Sequence, residues 1–155
     1  MRLINRSVKL LSTFFGVGYF PLIPGTAASL AALFLYYLLR GDPAMRAVFT
    51  LLLLAAGFLV AGPAENIFGR KDPRCIVIDE VAGMFLCLLF LPYDPRLVWM
   101  AFLVFRVLDT LKPYPAGRLQ DLKGGLGVMA DDIVAAVYTN LVLQAVVRLA
   151  SLNIS

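Results

Sequence analysis

Asp79 and Glu80 stand side by side near the start of CIVIDEVAGMFLCLLFLP, residues 75–92, an apolar run otherwise suited to a bilayer. Ionisable groups at membrane depth are costly to bury and are usually functional. Three more acids occupy comparable places: Asp109 near the end of the apolar stretch 97–111, and Asp131 and Asp132 at the start of the stretch 128–150. If these stretches converge, their carboxylates need neutralising, and too few basic residues lie within them to do it. A divalent cation solves the problem. Oxygen-rich sites without histidine suit Mg²⁺, which takes carboxylates, water and substrate phosphate. The chain has no histidine, which argues against a usual zinc site. Each acid taken alone also has a plainer reading, as a helix cap or an inter-helix ion pair.

Groups that could hold a phosphate lie nearby in sequence. In FRVLDTLKPYP, residues 105–115, Arg106 and Asp109 are three apart and share a helix face. Lys112 follows three further on, where Pro113 ends the helix. Arginine suits bidentate phosphate contact, whereas Lys112 serves equally well as a membrane-surface anchor. The stretch KGGLGVMADD, residues 123–132, puts Gly124, Gly125 and Gly127 before a helix. Glycines allow close backbone approach and a helix N-terminus binds anions, although such a stretch can also be a simple tight turn. PGTAAS, residues 24–29, interrupts another apolar region, and Thr26 is expected to cap a helix over 27–39. A broken helix at membrane depth is tolerated mainly where it lines a cavity, which places Pro24, Gly25 and Thr26 at the site. Mg²⁺ carboxylates beside phosphate-binding groups point to phosphoryl chemistry on a lipid headgroup. The phosphohistidine route is closed without histidine. Neither Cys75 nor Cys87 begins a C-x5-R loop, and no D-x-D-[TV] start is present. Metal-assisted attack by water, or a carboxylate nucleophile, remains.

The elements that must position these groups are five apolar stretches, 10–39, 47–62, 76–92, 97–111 and 128–150, the first interrupted at residues 21–26. None alternates strictly, so all read as buried or membrane helices, and several fall short of the ~20 residues a span needs. The 155 residues predict one domain, 1–155. With 61% hydrophobic and only 15% charged residues, the composition is shifted toward the membrane class. The expected fold is all-α, a membrane-embedded helical bundle with a broken first helix. Net charge is +4 without a lysine-rich tail, which suits an anionic lipid surface better than nucleic acid. Asp42-Pro43, Asp72-Pro73 and Asp94-Pro95 each carry a helix-start signal. Lysine and arginine collect at the N-terminus and in the connections 63–75 and 112–127, so these belong on the cytoplasmic side. The five acids then gather at that face.

The motifs PLIPGTAASL, IVIDEVAGM, FRVLDTLKPYP and GGLGVMADDIVAA, in that order, give a specific resemblance to phosphatidylglycerophosphatase A, running from about residue 14 to 147. Ala136 stands where glycine is often expected in that family. The resemblance implies an Mg²⁺-dependent enzyme of the bacterial cytoplasmic membrane that hydrolyses phosphatidylglycerophosphate to phosphatidylglycerol and phosphate. Carried onto this chain, it implies Mg²⁺ on Asp79, Glu80, Asp131 and Asp132, with Asp109 as ligand or general base. Arg106, Lys112, Pro24, Gly25, Thr26, Gly124, Gly125 and Gly127 would surround the phosphate. A lipid phosphotransferase is the rival enzyme, although the D-G-x2-A-R pattern is absent. A cation or proton pathway is the rival of another class, and it expects acids spread through the membrane depth. A homo-oligomer is left open.

Overall fold

Two of the three Asp-Pro pairs act as their chemistry predicts. Asp42 accepts from the Ala44 amide at 2.8 Å and opens α3 (Pro43–Phe68), and Asp94 accepts from the Arg96 amide at 2.7 Å and opens α5 (Pro95–Leu111). Asp72 caps nothing. Its backbone turns through φ +42°, its amide donates to Glu65 Oε1 at 2.7 Å, and the next helix, α4 (Ile78–Cys87), starts six residues later.

The computed structural model describes residues 2–152, and among them there is no strand. The first apolar stretch is broken, earlier and more widely than its prolines suggest. A basic helix α1 (Arg2–Ser12) ends in turns and a short 3₁₀ segment, Val17–Tyr19, before α2 (Pro24–Leu38) begins. Pro24 occupies the first turn of α2, where its missing N–H costs nothing. The expectation that Thr26 caps a helix from residue 27 is therefore corrected: Thr26 lies inside the first turn. The stretch 76–92 is likewise helical only over Ile78–Cys87, about 15 Å at 1.5 Å per residue. The chain closes with α6 (Ala116–Leu119) and α7 (Gly125–Leu152).

Two helices are long and apolar enough to cross a membrane, Pro43–Phe68 and residues 125–150 of α7. The former continues through Pro63, well past the apolar run visible at 47–62. Short α4 stands at the centre of the bundle, packed on α2, α3, α5 and α7. Eight of its ten residues are buried, Asp79 among them. Gly83 lets α5 close on it, because a Cβ there would meet the Phe105 ring at 2.8 Å. The segment before α4 is tied back by the Val77 amide, which donates to Ser12 O at 2.9 Å. These contacts fix the start of α4, and with it the two adjacent carboxylates.

Candidate active site

Four helix ends meet around a cavity of about 770 Å³: the starts of α2 and α4, the end of α5 and the first turns of α7. Asp79 and Glu80 occupy the first turn of α4, where the positive end of the helix dipole favours them. Asp79 Oδ1 also accepts from the Glu80 amide at 3.0 Å. Asp132 comes from α7, and its carboxylate, with those of Asp79 and Glu80, places three oxygens within 4.8 Å of one another. Glu80 Oε2 and Asp132 Oδ2 are buried without a hydrogen-bond partner. Like charges this close, with lone pairs unsatisfied, call for a cation or a shared proton. The donor set fits Mg²⁺: all oxygen, anionic and open to water on one side.

Asp131 belongs to a different arrangement. Neighbours on a helix point about 100° apart, so Asp131 turns away from the trio and pairs with Lys112 Nζ. Lys112 is the C-cap of α5, in the left-handed region at φ +45°, and this bend carries its side chain toward α7. Gln120 Oε1 accepts a second hydrogen bond from Lys112 Nζ at 2.8 Å. Partial burial disfavours the lysine charge, but the bond to Asp131 and its charge outweigh that, and the pKa stands above the ordinary lysine value. Arg106 and Asp109 form the pair that their spacing predicts, Nη1 to Oδ2 at 2.9 Å. The expected set of acids therefore divides into a trio without ion pairs among the described residues and two members of ion pairs.

Pro24, Gly25 and Thr26 line the cavity from α2. Gly25 is there for space. A Cβ at this position would lie 2.3 Å from Glu80 Oε1 and 3.3 Å from Arg106 Nη1. Gly124, Gly125 and Gly127 do not line it. Gly125 lies against α3, where a Cβ would meet Phe58 O at 2.9 Å, and one on Gly127 would meet Leu122 O at 2.2 Å. Gly124 and Gly125 thus allow close backbone packing on α3, the small-residue contact by which helices approach, whereas Gly127 packs on its own preceding turn.

Asp72, Arg74 and Thr110 also line the cavity, and Gln120 steadies Lys112. Asp72 is exposed at the rim, yet protein around its carboxylate, and then the Asp131 charge, raise its pKa above the ordinary value. Asp72 and Arg74 had a signal, since both lie in the charge-rich connection 63–75. Thr110 and Gln120 carried none.

The family model for phosphatidylglycerophosphatase A matches residues 10–147. Among curated proteins, a Bacteroides thetaiotaomicron protein provisionally named phosphatidylinositol-3-phosphatase is 38% identical over 148 residues, covering 90% of this chain and 92% of its own. Phosphatidylglycerophosphatase A of Escherichia coli is 37% identical over 131 residues, 83% of this chain and 76% of the relative. The enzyme of that name from Haemophilus influenzae is 34% identical over 146 residues, 90% and 88% of the two chains. No solved structure matches the chain significantly.

Proposed function

The chain belongs to the phosphatidylglycerophosphatase A family and is a phosphatase, and on that premise we propose that it removes the terminal phosphate of phosphatidylglycerophosphate in an Mg²⁺-dependent reaction. The observation that carries the reading is the crowded trio Asp79, Glu80 and Asp132, two of whose buried oxygens lack a hydrogen-bond partner, in a cavity that also holds Arg106 and Lys112. Asp79, Glu80 and Asp132 would hold the metal, which when bound supplies the positive charge that polarises a phosphoryl oxygen and acidifies water.

The chain's own groups divide the remaining work. Arg106 and Lys112 take the phosphate oxygens, and their partners Asp109 and Asp131 fix where the two cations point. Amides in the first turn of α2, lacking partners within the helix, add a partial positive charge on the same side. Asp109 stands between Arg106 and Asp132, and we assign it as the base that receives the proton of the attacking water. The substrate's acyl chains stay among the outer faces of the helices, where large apolar residues such as Phe34, Leu103 and Leu141 are exposed.

The location follows from the same reading. α3 and α7 would cross the bacterial inner membrane, with the cavity toward the cytoplasm, because Arg70, Lys71, Arg74, Lys112, Arg118 and Lys123 lie in the connections on that side. Those basic groups would also meet anionic lipid headgroups.

The test is phosphate release by the purified protein from phosphatidylglycerophosphate, with phosphatidylinositol 3-phosphate as the competing substrate suggested by the Bacteroides relative's name. The reading expects the first substrate to be preferred, with activity lost on chelation and restored by Mg²⁺. Asp79→Asn should lose nearly all turnover at saturating Mg²⁺. Near-normal turnover by that variant would remove the trio from the mechanism, and preference for the inositol lipid would replace the substrate.

A further inference from the structure

Arg46 has no counterpart in the chemistry above. It lies in the first turns of α3, at the end of the bundle away from the acids, and is only 8% exposed. Among the described residues no carboxylate pairs with it. Its Nη1 donates to the Tyr36 hydroxyl, its guanidinium lies over the Tyr36 ring at 5.2 Å, and its buried Nε has no partner at all. A buried, unpaired charge is expensive, and an orphaned N–H beside it adds to the penalty. The helix adds to the cost, because a cation in the first turns of α3 faces the positive end of the dipole; the capping Asp42 four residues earlier is taken up by the Ala44 amide and forms no ion pair with Arg46. The nearby end of α4 offers little relief. The carbonyls of Leu86 and Cys87, and that of Leu89 just beyond, already accept from Asn140 Nδ2.

Arg46 opens onto a cavity of about 340 Å³, walled by Tyr36, Phe85 and the turn Leu88–Pro92. Apart from the guanidinium and the Tyr36 hydroxyl, the wall is mostly apolar. An anion carrying an apolar body matches it. α3 is 26 residues long, or about 39 Å, against ~30 Å of hydrocarbon in a bilayer. Its first turns therefore reach headgroup level on the side opposite the catalytic cavity, the level at which phospholipid phosphates lie.

We propose that Arg46 and its cavity form a second anion site, which binds a phosphate group at the membrane face opposite the carboxylate trio. Phosphate geometry matches the guanidinium fork. The group can come from a phospholipid headgroup or from free phosphate, and the experiment separates the two. Its orientation rests on the membrane reading above, but its test uses no turnover and so stands apart from the phosphatase assignment.

Binding is measured on the intact protein in detergent by native mass spectrometry, in EDTA, so that the acidic cavity holds no cation and repels anions. The probes are phosphatidylglycerol, inorganic phosphate and, as control, phosphatidylcholine. Saturable phosphatidylglycerol binding with no effect of inorganic phosphate identifies the lipid as source. Competition by inorganic phosphate identifies the phosphate alone as sufficient. Arg46→Gln should weaken the binding by about tenfold or more, the loss expected for a hydrogen bond to a charged group. Leu89→Trp fills the cavity from a half-buried position and leaves Arg46 in place, so it decides the matter if Arg46→Gln does not fold. Phosphatidylglycerol bound no better than phosphatidylcholine, or wild-type binding by either folded variant, would overturn the proposal.

Discussion

Gly25→Ala isolates the geometry of the trio from the stability of the fold. The new Cβ would sit 2.3 Å from Glu80 Oε1, where ordinary contact begins at 3.4 Å. The oxygen must retreat by about 1 Å. Retreat is cheap for folding, since the obstacle is the tip of a flexible side chain, and alanine is favoured over glycine in a helix by up to ~1 kcal/mol. It is expensive for function, because the displaced Glu80 oxygen loses its place relative to Asp79 and Asp132. A misplacement of about 1 Å costs about a hundredfold in rate, close to 2.7 kcal/mol at 1.36 kcal/mol per decade. The assay is phosphate release with Mg²⁺ titrated to saturation, alongside a melting curve. The expected result is kcat down about a hundredfold, a higher Mg²⁺ requirement and a melting temperature at or above wild type. Gly41→Ala adds a Cβ with nothing within 4 Å and serves as the control. Wild-type turnover and Mg²⁺ response in a folded Gly25→Ala protein would refute the placement of Glu80 at the metal.

Two further outcomes follow from how the acids divide. Lys112→Met and Asp131→Asn should each lower kcat/KM, and the double variant should lose less than the two losses combined, because the two groups act through one ion pair; strict additivity would separate them. Glu80→Gln should abolish turnover yet raise the melting temperature in EDTA, since it removes one of three crowded carboxylates whose repulsion Arg106 and the helix starts offset only in part without metal; a lower melting temperature in EDTA would show that Glu80 is satisfied by the protein alone.

What could be read from the sequence was local, and what could not was a matter of partners. Asp42 and Asp94 cap helices because a cap is decided within three residues. Asp72 carries the same dipeptide and caps nothing, because five residues separate it from the start of α4. The pairing of Arg106 with Asp109 was visible in their spacing, since both ride one helix. The pairing of Lys112 with Asp131 crosses 19 positions and depends on a left-handed bend that no residue type announced. Asp131 and Asp132 were read as one unit because they are adjacent, although adjacency on a helix sends side chains apart. The glycines at 124–127 resembled a phosphate loop, and their type was read correctly as permitting close approach. What approaches Gly124 and Gly125 is α3, through Phe58 and Gly62, which lie over 60 positions earlier, and what approaches Gly127 is the turn at residues 120–122. At Gly25 the same permission serves Glu80 and Arg106, and only the assembled bundle distinguishes the two cases.

The trio is also unequal in what supports it. Asp79 and Glu80 lie in the first turn of α4, where the helix dipole is worth roughly 0.3–1 kcal/mol to each and more when partly buried. The start of α2 points its own positive end into the same cavity. Two converging helix N-termini thus offset part of the repulsion, which is how a ten-residue helix can carry adjacent acids into the centre of an apolar bundle. Asp132 has no such help. It is the eighth residue of α7, beyond the reach of a dipole that fades within the first turn. Of the three, its charge depends most on a bound cation, so metal affinity should be more sensitive to Asp132 than to Asp79, whose oxygen already accepts an amide hydrogen bond at 3.0 Å.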